Sequence, residues 1–129
     1  MFTVPDKSNY LKGLLILARK DDSLADPECD IIRAVAQKFG FSKDFYEDIL
    51  KSLMTNKYII DDPIIFSGKQ IAELFLDDGM RLAFSDQIMH ENELQWLKLI
   101  ANANGIEDSI FDSLLLKHQL LGQSKEENP

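Results

Sequence analysis

The feature that most constrains the fold is the spacing of the apolar residues, which follows the helical period along almost the whole chain. Each segment would therefore present one apolar stripe to a shared core. From the N-terminus on, the stripes are formed by Leu11, Leu14, Leu15 and Ala18; Ile31, Ile32, Val35 and Phe39; Phe45, Ile49, Leu50 and Leu53; Ile71, Leu74, Phe75 and Leu82; Leu94, Leu97, Ile100 and Ala101; and Ile110, Phe111, Leu114 and Leu115. No segment shows a convincing strand alternation. The pattern predicts one all-α domain over residues 1–129, a bundle of about six to seven helices.

Residues that begin or stop helices lie between these stripes. The predicted openings are Pro5 with Asp6, Asp26 with Pro27, Ser42, Ser67 and Glu91, and the predicted stops are Gly40 and Gly105. Asp62-Pro63 breaks any helix within residues 56–66, which we expect to form a packed connection rather than short strands. Residues 122–129 are polar and predict a disordered tail. Asp77 and Asp78 predict a solvated face in the fourth helix.

The chain also repeats itself. A shift of 65 residues superimposes the two predicted glycine stops and brings further pairs of identical residues into line. These pairs include Leu17 and Leu82, Ala18 and Ala83, Asp21 and Asp86, Glu28 and Glu93, Ala36 and Ala101, and Leu50 and Leu115. The repeat predicts two duplicated, pseudo-symmetric halves at about residues 8–55 and 67–120, with the packed connection between them.

The repeated acids differ from the other matches because core packing does not require them. Glu28 and Glu93 each lie in a predicted first helical turn, where a negative charge is favourable by about 0.3–1 kcal/mol. Asp21 and Asp86 each lie at a predicted helix C-terminus, where a negative charge is unfavourable by a similar amount. One explanation is structural, since aspartate tolerates turns and accepts bonds from backbone amides. The other is chelation, in which Asp and Glu seven residues apart converge on a hard cation.

Around these acids the two copies read ARKDDSLADPE (18–28) and AFSDQIMHENE (83–93). Each copy has alanine, a spacer and aspartate, then a hydrophobic residue (Leu24 or Ile88) and glutamate seven positions after the aspartate, before a helix that stops at glycine. This pattern resembles the repeat of the tellurite-resistance TerB-like domain family over about residues 8–118. Related domains begin certain J-domain co-chaperones, whose His-Pro-Asp motif does not occur here. The family usually has glycine after each aspartate, whereas this chain has Asp22 and Gln87.

The resemblance implies a compact all-helical domain with paired acids that hold one divalent metal, in a bacterial stress system that acts through association with other proteins. The implied metal ligands are Asp21, Glu28, Asp86 and Glu93. An oxygen-only ligand set favours Ca²⁺, Mg²⁺ or Mn²⁺ over Zn²⁺. His90 would favour Zn²⁺ or Mn²⁺ if it turned inward, and is otherwise a solvated loop residue. Trp96 lies one position off its helix stripe, as an edge of the core or as a surface for a partner or homodimer. The predicted interaction surface comprises Trp96, Asp22 and His90.

Composition excludes several classes of function. With 22 acidic and 14 basic residues, the net charge of −8 disfavours nucleic acid and anionic membrane surfaces as ligands. No apolar run has the length of a membrane span, no signal peptide is recognised, and Cys29 is the single cysteine, so the cytoplasm is the expected compartment. No catalytic constellation is recognised. The leading hypothesis is a metal-binding interaction module. The alternatives are a metal-independent adaptor whose acids only cap helices and, third in order, a metal-dependent hydrolase.

Overall fold

The structure of the chain, a computed structural model, describes residues 2–19, 26–55, 62–85 and 91–127. Within these ranges the backbone forms six α-helices and no strand. The helices are α1 (Val4–Arg19), α2 (Asp26–Lys38), α3 (Lys43–Thr55), α4 (Lys69–Ala83), α5 (Glu91–Ala103) and α6 (Asp108–Glu127). The predicted all-α bundle is confirmed. No helix among the described residues is both long and apolar enough to cross a membrane.

The three helices of one half begin at the same relative positions as the three helices of the other. The starts at Val4, Asp26 and Lys43 are each followed 65 residues later by the starts at Lys69, Glu91 and Asp108. The helix ends before Gly40 and Gly105 also match, since both glycines have positive φ angles of 82° and 70°. The Phe41 amide donates to the Ala36 carbonyl at 3.0 Å, and the Ile106 amide donates to the Ala101 carbonyl at 2.8 Å. Both ends are therefore Schellman motifs, which glycine accommodates best.

The core is built around α1 and α4. Helix α1 packs on α2, α3 and α4, and α4 packs on α1, α2, α5 and α6. At their contact, Tyr10 and Phe75 meet edge to face with ring centroids 5.3 Å apart. These residues occupy equivalent positions in the two halves, 65 residues apart in the repeat. Gly13 permits this approach, because a Cβ atom there would lie 2.6 Å from the Phe75 ring.

The described part of the connection between the halves, residues 62–66, packs on the bundle. Ile64 and Phe66 are buried. The Asn104 side chain, after α5, donates to the Ile64 carbonyl at 2.7 Å and accepts the Phe66 amide at 2.8 Å. One amide side chain thus satisfies backbone groups that form no helix or sheet bonds.

Ser67 has a different role from the predicted helix cap. The N-cap residue of α4 is Gly68, and no side chain caps the helix there. The Ser67 amide and hydroxyl instead donate to the buried Asp6 carboxylate at 2.9 and 2.5 Å. Asp6 also accepts the Thr3 amide at 3.0 Å, and its own amide donates to the Thr3 hydroxyl at 3.1 Å. Thr3 and Asp6 form a capping box that opens α1 and holds the start of α4 beside it. The prediction for Ser42 is confirmed, since its hydroxyl accepts the Phe45 amide at 3.3 Å.

The C-terminal helix is longer than the sequence predicts. Helix α6 continues to Glu127, past the start of the predicted tail at residue 122. After Gly122 its residues have moderate to good helix propensity, and adding a residue to an existing helix costs little compared with starting one.

Candidate functional site

The predicted metal ligands are only partly within the described residues. Asp21 and Asp86, together with the neighbouring Asp22 and His90, lie outside them. Glu28 lies in the first turn of α2, where the backbone alone is described. The described carboxylate of the predicted set is that of Glu93.

Glu93 lies in the first turn of α5 and is only 2% exposed. It shares the buried face of the helix with Leu97 and Ile100. The helix dipole favours a glutamate at this position even when the side chain stays in water. Burial adds a cost that a surface carboxylate avoids, because a buried charge must be matched by hydrogen bonds or an opposite charge. The Glu93 carboxylate therefore needs a partner inside the bundle in addition to the helix dipole.

Trp96 is not part of an exposed surface. Its side chain is 3% exposed and meets the Phe75 ring in an edge-to-face contact, with centroids 6.4 Å apart. The prediction that places Trp96 on an interaction surface is wrong. The physical reason is that α5 packs against both α4 and α6, so its buried face is wider than one stripe and includes the position beside it.

A polar cluster within the bundle is centred on the adjacent acids of α4. The Asp78 carboxylate accepts a short hydrogen bond from the buried Tyr10 hydroxyl on α1. It also accepts one from Arg81 Nη2 at 2.7 Å. Burial and the neighbouring Asp78 raise the pKa of Tyr10, so this phenol remains a donor. Asp78 therefore joins α1 to α4.

Asp77 makes the corresponding connection to α6. Its Oδ1 atom accepts from Lys117 Nζ at 2.9 Å and from His118 Nε2 at 2.8 Å. His118 is buried, and its ring stacks on that of Phe84 with centroids 6.4 Å apart. Burial opposes ionisation of Asp77, but the bonds from Lys117 and His118 outweigh it and hold the pKa of Asp77 below its ordinary value.

The prediction of a solvated face at Asp77 and Asp78 is therefore wrong. Both carboxylates bind groups on neighbouring helices, because the side of α4 that bears them is partly covered by α1 and α6. The repeat contained a signal for this cluster: His118 is the equivalent of Leu53, which belongs to an apolar stripe. A histidine in a core position of a duplicated fold indicates a buried polar partner.

The cluster has the properties of a structural connection between helices. The Asp78 carboxylate accepts bonds from Arg81 and from the Tyr10 hydroxyl, and the Asp77 carboxylate accepts bonds from Lys117 and from the His118 imidazole. These bonds hold α1, α4 and α6 together. Among the residues that the structure describes, no group of three or more histidine, cysteine, aspartate or glutamate side chains is arranged to hold a metal ion.

No family model matches the chain, and neither the curated proteins nor the solved structures contain a significant match to it. The fold itself defines the class of protein, an all-α bundle of six helices within the described residues.

Proposed function

We propose that the chain is a TerB-like helical module that binds one divalent cation through Asp21, Glu28, Asp86 and Glu93 and then presents an acidic surface to another protein. The observation that carries the proposal is the burial of Glu93 in the first turn of α5. A glutamate that only capped the helix would gain the same dipole interaction in water. A buried carboxylate needs partners that match its charge, and a hard divalent cation held by carboxylate oxygens is one such partner.

The equivalent helix starts in the two halves support the pairing of these acids. Glu28 and Glu93 are each the third residue of their helices, α2 and α5. Asp21 and Asp86 are each seven residues earlier, in the segments that follow α1 and α4. In the proposed mechanism, the cation neutralises the mutual repulsion of these carboxylates and fixes the two inter-helix segments together. The setting in bacterial stress or tellurite resistance follows from the family resemblance.

Thermal unfolding with and without metal tests the proposal. After removal of bound ions with a chelator, we expect Ca²⁺, Mg²⁺ or Mn²⁺ at millimolar levels to raise the melting temperature, since a ligand at 100 times its Kd stabilises a protein by about 2.7 kcal/mol. Zn²⁺ should act more weakly. Asp21→Asn combined with Asp86→Asn should abolish the increase, whereas Asp48→Asn, an exposed acid on α3, should leave it unchanged. A melting temperature that none of the four ions moves would refute the metal site.

A metal-independent adaptor is the second candidate, favoured by leucines exposed on the helices of the second half, such as Leu74 and Leu99. In this case the acids only cap helices. The double Asp→Asn variant would then keep both its stability and any binding to protein partners, and it would respond to metal ions in the same way as the unmodified chain.

A further inference from the structure

The side of α6 that is directed away from the bundle has an unusual composition. Its residues are spaced four, three and four apart, which places them on one face of the helix in the pattern of a coiled-coil seam. They are Ser109, Ser113, Leu116 and Leu120, and we call this set the α6 seam. All four are exposed, and the two leucines are 55% and 53% exposed. The buried side of the same helix holds Phe111 and His118.

The seam contains no charged residue in a chain whose net charge is −8. The Ser113 hydroxyl already donates to the Ser109 carbonyl at 2.9 Å, so burying it against another surface leaves no unpaired donor. Two copies of so acidic a chain would repel each other across most pairs of surfaces. Along the α6 seam they can approach without bringing acids together.

We propose that the α6 seam binds the α6 seam of a second copy of this chain, with the two helices parallel and in register. The charges that flank the seam favour this orientation. Asp112 lies on one side and Lys117 on the other, five positions apart. In a parallel pair, residues at these two positions face each other across the interface. Asp112 of each copy therefore faces Lys117 of the other, and a symmetric dimer contains this ion pair twice. An antiparallel pair brings Lys117 to the same side as Lys117 of the second copy.

Lys117 is able to take part in this contact while it holds α6 to α4. Its ammonium group bonds Asp77 at 2.9 Å, yet the side chain is 54% exposed. An ammonium group has three donors, so bonds to Asp77 and to the second copy can coexist. The exposed Asp112 carboxylate is available on the other side of the seam.

The length of α6 supports the same arrangement. Helix α6 continues to Glu127, well beyond Leu120. The extension places Leu120 within the helix rather than at its last, fraying residue. A contact limited to one helix face lies at the small end of specific interfaces, so the dimer should be weak and dependent on concentration.

Sedimentation equilibrium over a wide concentration range tests the interface. The unmodified chain should rise from a weight-average mass of 14.7 kDa towards twice that value as its concentration increases. Leu116→Glu should keep the monomer mass throughout, with a dimer Kd raised at least about tenfold, because it brings two buried acids together. The control Leu99→Glu makes the same change at a site of 52% exposure on α5 and should dimerise like the unmodified chain. A chain that stays monomeric at every concentration, or a control that dissociates as fully as Leu116→Glu, overturns the proposal.

Two further variants test the orientation. Asp112→Lys places like charges beside Lys117 of the second copy and should weaken the dimer, whereas Asp48→Lys on α3 should not. Ser113→Cys should form a disulfide between copies under mild oxidation, since seam residues face their own counterparts in a parallel pair. Asn102→Cys, on the exposed side of α5, is the matched control and should remain unlinked. A dimer that does not cross-link through position 113 refutes the parallel arrangement.

Discussion

Replacing Asp6 by asparagine should remove a pH-dependent part of the stability of the bundle. The Asp6 carboxylate holds the start of α1 to the start of α4 by accepting the Thr3 amide and both the amide and the hydroxyl of Ser67. Burial opposes its ionisation, but the bonds from Ser67 and Thr3 outweigh this effect and lower the pKa of Asp6 from 3.8 to about 2.

The size of the effect follows from this difference in pKa. A change of one unit corresponds to about 1.4 kcal/mol, so the ionised network contributes about 1–2 kcal/mol at neutral pH once partial screening by solvent is allowed for. The folded pKa lies below the ordinary value. The stabilisation is therefore fully present above pH 3.8 and is lost as the pH falls through about 2. Asparagine lacks the charge and turns an amide donor towards groups that are themselves donors, at a cost of about 1–3 kcal/mol.

Urea unfolding of the unmodified chain and of Asp6→Asn, from neutral pH down to about pH 2, measures this contribution. The free energy of unfolding should differ most at neutral pH, and the gap should narrow below pH 3.8 as Asp6 becomes protonated. Asp44→Asn changes an exposed acid in the first turn of α3 and should cost only about 0.3–1 kcal/mol. A gap for Asp6→Asn that stays constant over the whole range would show that the network does not depend on the charge of Asp6.

Three other substitutions have defined outcomes in the same unfolding assay. Gly13→Ala should destabilise the chain by about 1–3 kcal/mol, since its Cβ atom would lie 2.6 Å from the Phe75 ring; a neutral or stabilising result would mean that the helices move apart freely. Gly40→Ala should cost about 1 kcal/mol through its positive φ angle alone, because nothing lies within 4 Å of the added atom; unchanged stability would contradict a left-handed helix end. Asn104→Ala should cost about 2–3 kcal/mol and speed hydrogen exchange in residues 62–66; unaltered exchange there would show that other contacts hold the connection.

The candidate site divides into a part that the sequence anticipates and a part that it does not. The pairing of Glu28 with Glu93 follows from the repeat, and the structure places both in the first turns of their helices. The burial of Glu93 could not be predicted, because a glutamate in a first turn is equally favourable in water. The partial burial of Asp77 and the burial of Trp96 could not be predicted for a similar reason. Their exposure depends on which helices pack against α4 and α5, and the apolar stripe of a single helix does not show this.

The sequence by itself determined the all-α class, the boundaries of most helices, the two glycine ends and the equivalence of the halves. These properties depend on side-chain periodicity, capping residues and φ preferences, which act over a few residues and can be read locally. Only the tertiary structure decided that Asp6 binds Ser67, 61 residues away, and that Asp78 binds Tyr10, 68 residues away. A polar side chain is stable in the interior only when its partner arrives from another element, so its role depends on contacts that the packing of distant helices creates.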